Sequence, residues 1–185
     1  MAASYRMGVD LNLFRHKDAY YFLPSEDEWY KSAYHKKDGV TANYWDYAMG
    51  SNNVPDGIDF AGDTVFDAVF RDGANNPQPN GVTNVGIASP YGTFGQNGNV
   101  WEWDESAFDR LNNISSEDRA IRGGNWNNSG FNLRSSNRAG GNLVVSGSDV
   151  GFRIASVPTV PEPSSAFWGI GSGLVLLLRR RRESV

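Results

Sequence analysis

The chain has 185 residues, enough for one domain around a single core, and no cysteine, which excludes disulfides, thiolate metal sites and cysteine nucleophiles. Its formal net charge is −4; the last 25 residues hold Arg179 to Arg182 against Glu162 and Glu183, so the body before them is the more acidic part and makes no electrostatic case for a nucleic-acid partner. Apolar residues are 39%, aromatics 13%, and glycine occurs 21 times, which implies a few large buried rings held between many turns. Two histidines, His16 and His35, leave little for a His-rich catalytic metal site.

Residues 1–19 hold no basic segment followed by an apolar run, so no export signal is expected within this chain, and the stretch reads as an N-terminal remnant or disordered. A domain over residues 20–156 follows. Leu23-Pro24-Ser25-Glu26-Asp27-Glu28 reads as a capping box, with Ser25 as N-cap and Glu28 three residues on. Its acidic turn suits the positive end of the helix dipole. The helix carries one aromatic stripe, Trp29, Tyr30, Ala33 and Tyr34, expected to pack in the core. Lys36 and Lys37 suit its C-terminal end and Gly39 its stop.

Residues 38–97 read as irregular. They contain the aromatic cluster Tyr44-Trp45-Asp46-Tyr47 and turn-rich sequence from Gly50 to Asp59. Asp63 to Phe70 alternates in a way that fits a strand or a single helical turn. Gly73 to Gly81 is a loop in which Asn75, Asn76 and Asn80 offer side-chain carbonyls; Val82 to Ile87 reads as a strand and Pro90-Tyr91-Gly92 as a turn.

Gly98-Asn99-Val100-Trp101-Glu102-Trp103 is the most distinctive stretch. Strand alternation puts Val100, Glu102 and Asp104 on one face and both indoles on the other. The indoles form an apolar platform for the core; Glu102 is then a solvated surface group or a hard-metal ligand. Residues 104–118 read as a polar loop, and Arg119 to Trp126 as a strand running into a glycine turn that Asn127, Asn128, Ser129 and Gly130 continue. Leu133-Arg134-Ser135-Ser136-Asn137-Arg138 is a second basic segment, and Val150 to Ala155 a closing strand with Val150, Phe152 and Ile154 on one face. The three arginine-bearing segments are expected to hold the acidic loops by surface ion pairs of about 0–1 kcal/mol each.

The tail is a separate module. Residues 157–165 form a proline-rich linker, and residues 166–182 an apolar run, Ala166 to Leu178, closed by Arg179, Arg180, Arg181 and Arg182. As a helix the run spans about 20 Å, short of a hydrocarbon core of roughly 30 Å, a gap that flanking residues and arginine snorkelling narrow. The run fits a buried core helix by length. Four terminal arginines favour membrane insertion through residues 166–178 instead, with the C-terminus cytoplasmic.

The segments Leu23 to Trp29, Gly98 to Trp103, Arg122-Gly123-Gly124-Asn125-Trp126, Leu133 to Arg138 and Val150-Gly151-Phe152-Arg153, in that order, resemble the sulfatase-modifying-factor family, typified by the formylglycine-generating enzyme. The resemblance implies an irregular, C-type-lectin-like α+β fold with low regular secondary structure, to which the tail adds one C-terminal hydrophobic helix. The tail is similar to the PEP-CTERM sorting signal, whose three parts correspond to Pro161-Glu162-Pro163, the apolar run and the arginine cluster. That similarity implies processing by an exosortase, a membrane protease, and a location at the cell envelope or surface.

Two departures narrow what the resemblance carries over. The family's oxidase chemistry uses a pair of cysteines after the Arg-Gly-Gly turn to bind copper; this chain has Asn127, Asn128, Ser129 and Gly130 there, and amides and hydroxyls do not replace thiolates for Cu(I), so no copper site is expected. Members also carry a substantial portion ahead of the Leu-Pro-Ser helix, so the chain reads as a fragment, a late start or a degenerate copy. The family's calcium sites carry over in part. Asn75, Asn76, Asn80 and Val82 correspond to one, and Gly98, Val100 and Glu102 to the other; Asn80 and Gly95 stand where carboxylate or amide ligands are expected, which implies weak Ca²⁺ binding or none. The expected function is a non-catalytic exported module that binds an envelope polysaccharide or protein. The alternatives are an enzyme using Glu102, Asp104 and Glu105 in non-cysteine chemistry, and a non-functional gene fragment.

Overall fold

A computed structural model of the protein describes residue 15 and residues 18–57, 67–73, 85–114, 116–142 and 147–157. In chain order the elements are β1 (Tyr21–Phe22), α1 (Glu26–Tyr34), β2 (Trp101–Ala107), β3 (Arg119–Arg122), β4 (Ala139–Gly141), β5 (Val150–Phe152) and β6 (Ala155–Ser156), with a 3₁₀ turn over Gly130–Leu133. β4, β3, β2 and β5 form one sheet in that order, antiparallel except for the parallel β2–β5 pair, and β1 pairs antiparallel with β6. This is an α+β arrangement with long irregular connections, as the glycine- and asparagine-rich composition implies.

The capping box forms as expected: Ser25 Oγ accepts from the Glu28 N–H at 3.3 Å and Glu28 Oε2 accepts from the Ser25 N–H at 2.8 Å. Trp29, Ala33 and Tyr34 are buried against Ala48, and the Tyr34 hydroxyl donates to the Leu133 carbonyl at 3.2 Å. That bond links the helix to a second cluster of Tyr47, Ala68, Phe70 and Leu133. The helix stops at Tyr34, short of the expected lysines. His35 is extended and buried, bridged to Tyr44, while the Tyr34 carbonyl accepts from the Trp45 N–H at 2.8 Å. Tertiary hydrogen bonds thus end the helix before Gly39, which turns the following loop at φ +97°.

Three expectations are corrected. Residues 104–107 are not loop but the second half of β2, where Asp104 and Glu105 are buried. The strand continues through a bulge: Trp103 pairs with Ile121 and Ala107 with Arg119, so the register with β3 shifts between them and the pairing resumes at Ala107. Residues 150–155 are not one strand: the chain leaves the large sheet after Phe152 and rejoins β1 at Ala155, leaving Phe152 and Ile154 64% and 63% exposed. Finally, Val85 to Ile87 form no strand, while residues 82–84 lie outside the described part; Ile87 N–H instead donates to the Asp67 carbonyl at 3.1 Å. Of the alternating stretch before it, residues 63–66 lie outside the described part, and Ala68 and Val69 form isolated bridges to Gly57 and Gly98.

The Gly98-Asn99 turn ties these pieces together. Gly98 N–H donates to the Gly123 carbonyl at 2.8 Å, Asn99 N–H to the Val69 carbonyl at 2.7 Å, and the Asn99 carbonyl accepts from the Trp126 N–H at 2.8 Å. Gly98 sits at φ +77° with the Val69 carbonyl where a Cβ would stand, so only glycine fits. Gly98→Ala is expected to destabilise the domain by more than ~2 kcal/mol, and Ser25→Ala by about 1 kcal/mol; chemical denaturation followed by tryptophan fluorescence reads both.

Candidate functional site

Glu102, Asp104 and Ser106 share the face of β2 that meets the first turns of α1. Glu26, the first residue of the helix, is 6% exposed; its Oε1 accepts from Arg122 Nε at 2.8 Å and Arg138 Nε at 2.6 Å, and lies 2.6 Å from Arg122 Nη2. Burial works against the Glu26 charge, but the hydrogen bond from Arg138 and the charge of Arg122 outweigh it and hold the carboxyl below its usual range. The Glu26 N–H donates to Ser106 Oγ at 3.0 Å. The arginine pairs are therefore buried and shared, not the surface contacts expected from sequence.

Glu102 is likewise saturated. Arg153 reaches it with Nε at 2.5 Å and Nη2 at 2.6 Å, and Trp29 Nε1 donates at 2.6 Å. Glu105 pairs with Arg15 Nε at 2.8 Å, and the same guanidinium reaches Glu28 at 2.5 Å. Asp104 differs: it is 1% exposed and neither of its oxygens has a hydrogen-bond partner among the described residues. Burial first, then the Glu26 charge, push its pKa up to about 9 against the pull of Arg122, so it is a neutral carboxylic acid at neutral pH.

A cleft of about 600 Å³ opens beside this layer. Glu26, Ser106, Arg122 and Arg138 line its base, and Asp27, Arg110, Ser135 and Ser136 are among its other lining residues. The base is rigid because its guanidiniums also serve the main chain. Arg122 Nη1 donates to the Ser135 carbonyl at 2.9 Å and the Asn137 carbonyl at 2.6 Å; Arg138 Nη2 donates to the Ala107 carbonyl at 3.0 Å, and its Nη1 to Phe108.

The turn after Arg-Gly-Gly is built from amide hydrogen bonds. Gly123 and Gly124 adopt φ +93° and +74°. Asn128 Oδ1 accepts from the Asn125 N–H at 3.0 Å, Asn125 Oδ1 from the Asn127 N–H at 3.0 Å, and Asn125 Nδ2 donates to Asp149 Oδ2 at 2.9 Å. These side chains shape the turn, and none is a soft metal donor.

Of the sequence-predicted site residues, Gly98, Val100 and Glu102 lie in and just after the Gly98-Asn99 turn, and a cation taking Glu102 would compete with the Arg153 guanidinium. Asn75, Asn76, Asn80 and Val82 lie outside the described residues, as do Pro161, Glu162, Pro163 and Arg179 to Arg182. Among the described residues no group of three or more His, Asp or Glu side chains could hold a metal ion. Sequence reasoning missed the Glu26–Arg122–Arg138 triad and the isolation of Asp104. No local signal marks them, because β2 is bulged between Trp103 and Ala107 and the arginines come from distant segments.

This arrangement defines an irregular α+β domain. Over residues 3–157 the chain matches the Sulfatase-modifying factor enzyme 1-like domain, and it belongs to that family; residues 159–182 match the PEP-CTERM protein-sorting motif. The motif implies processing by an exosortase and sorting to the cell envelope or surface. Solved structures similar to the chain include Treponema denticola variable protein 1, with 24% identity, a TM-score of 0.53 and coverage of 75% of this chain and 48% of that one. CarF is similar at 18% identity and a TM-score of 0.55, over 78% of this chain and 50% of that one. Both likenesses show the fold, and the chain spans about half the length of these structures. No curated protein matches it. Among the described residues no helix is long and apolar enough to cross a membrane; residues 166–178 fall outside them.

Asp104 makes stability fall with rising pH. Its folded pKa lies above its unfolded one, so between about pH 4 and 9 unfolding releases a proton and is favoured as pH rises. Asp104→Asn is expected to stabilise the protein at pH 8 by at least the ~1.4 kcal/mol that one pKa unit represents, with the gain vanishing near pH 4. Glu26→Gln is expected to cost about 3–5 kcal/mol by stranding two buried guanidiniums. Urea denaturation across pH reads both.

Proposed function

We propose that this chain is a non-catalytic, C-type-lectin-like binding module that exosortase processing places at the envelope or surface, where it holds an envelope polysaccharide or protein. In this reading residues 166–178 anchor it transiently in the inner membrane with the C-terminus cytoplasmic. The supporting observation is the Asn125–Asn128 turn: its amides close on one another and on Asp149 at the place where the family's oxidase chemistry implies paired cysteines. The polar cleft beside Glu26 supplies a binding surface. Calcium enters only as a weak structural ion at Asn75, Asn76, Asn80 and Val82, because Arg153 already neutralises Glu102 at the other ligand set.

A second reading, an enzyme with non-cysteine chemistry, is favoured by Asp104, since a carboxyl with so raised a pKa suits a general acid. Against it, Asp104 is not among the residues lining the cleft.

The test is expression behind the host's own export signal in a bacterium that has the exosortase. The intact protein is expected to be shortened at its tail and to appear at the surface, while a variant with Pro161, Glu162 and Pro163 changed to alanine stays unprocessed in the membrane fraction. An unprocessed, cytosolic wild type overturns the proposal. Thermal melts in millimolar calcium against EGTA are expected to differ by no more than a few degrees.

A further inference from the structure

We propose that the cleft between the first turn of α1 and the β2–β3 connection binds a uronate-bearing saccharide, with Arg110 pairing the sugar carboxylate and Ser135 and Ser136 meeting its hydroxyls. The proposal rests on the binding-module reading above and names the ligand class that the module takes.

Size and polarity come first. A volume of about 600 Å³ falls within the roughly 300–1,000 Å³ of small-ligand sites, but the lining is hydroxyls, amide, carboxylates and guanidiniums with Tyr30 as its ring. Such walls reward a ligand that carries hydrogen-bonding groups all round, as a sugar does, and offer little to an apolar one.

Charge comes second. Three guanidiniums face two carboxylates in the cleft, a locally positive spot on a chain of net charge −4. Arg122 and Arg138 are committed to Glu26 and to main-chain carbonyls. Arg110 is exposed, held at φ +69° by its own N–H to the Ala107 carbonyl at 3.0 Å, and its side chain has no partner among the described residues. An unpaired guanidinium fork at the mouth of a polar cleft matches a carboxylate in two-point geometry.

The helix end argues against a phosphate in the same place. The Glu26 and Glu28 N–H groups already donate to Ser106 and Ser25, and Glu26, Asp27 and Glu28 crowd that turn with negative charge. A dianion needs free amides and a surplus of cations, whereas a singly charged carboxylate on a polyol needs one guanidinium. The rigid base means that little ordering accompanies binding, which favours affinity.

The experiment is calorimetry on the full chain in detergent with tetragalacturonate, with maltotetraose as the neutral control. Tetragalacturonate is expected to bind at least tenfold more tightly than maltotetraose, and less tightly as salt is raised. Arg110→Ala, an exposed change that leaves the Glu26 triad intact, is expected to remove at least tenfold of that affinity, and Ser136→Trp, which fills the cleft, to abolish it, with unchanged melting temperatures. Equal binding of the two tetrasaccharides, or an Arg110→Ala variant that binds as well as wild type, overturns the proposal. A parallel pull-down with total envelope polysaccharide separates the two readings. Retention by wild type and Arg110→Ala alike leaves the module standing and removes this cleft as its site; no retention of any polysaccharide or envelope protein by wild type removes the module reading itself.

Discussion

The domain depends on the ionic layer between α1 and the sheet. A helix of nine residues and strands of two to seven bury too little apolar surface to fix long loops. Here the loops are fixed by guanidiniums that hold a carboxylate with one edge and main-chain carbonyls with the other. Arg122 and Arg138 join Glu26 to residues 107–108 and 135–137, Arg119 donates to the Glu105 carbonyl at 3.0 Å, and Arg153 joins Glu102 to the Phe94 carbonyl at 3.0 Å. Carbonyls that regular structure would have satisfied through a ladder are satisfied by side chains. Desolvating so many charges costs several kcal/mol per ion, so the layer specifies which loop meets which helix turn more than it adds net stability. Asp104, buried in the same layer without a hydrogen bond from the described residues, keeps its proton because a further negative charge there would have no donor among them to meet it.

What was legible in the sequence was local. The capping box depends on residues three apart, the Arg-Gly-Gly turn on two adjacent glycines, and both appear as read. The need for glycine at position 98 was not legible, because the contact that demands it, the Val69 carbonyl, comes from residues far away in the chain. The second half of β2 was invisible for the same reason. Glu105 and Ser106 look like loop until their partners, Arg15 and the Glu26 N–H, arrive from distant segments. Phe152 and Ile154 misled in the opposite direction: alternation was real but short, since the chain changes sheets between them, and their apolar character did not earn burial.

The chain belongs to its family by its scaffold, and the turn after Arg-Gly-Gly is closed by asparagines, not cysteines. Across the scaffold, the Gly98-Asn99 turn and the Arg153–Glu102 pair tie together segments far apart in the chain. The Asn125–Asn128 turn closes through its own side-chain amides, so its shape depends on no thiol.

The small β1–β6 pair lies where the domain gives way to the sorting motif. Tyr21 pairs with Ser156, Phe22 with Ala155, and the Val157 N–H reaches the Tyr20 carbonyl at 3.2 Å. A tension applied through the residues beyond Val157 enters at the outer end of this antiparallel pair and loads its hydrogen bonds one after another, as in opening a zip. The load reaches Arg153 and Glu102 only after the pair has parted. The clasp is a mechanical fuse: it lets a pulled tail yield by a few residues while the helix, the large sheet and the cleft keep their shape.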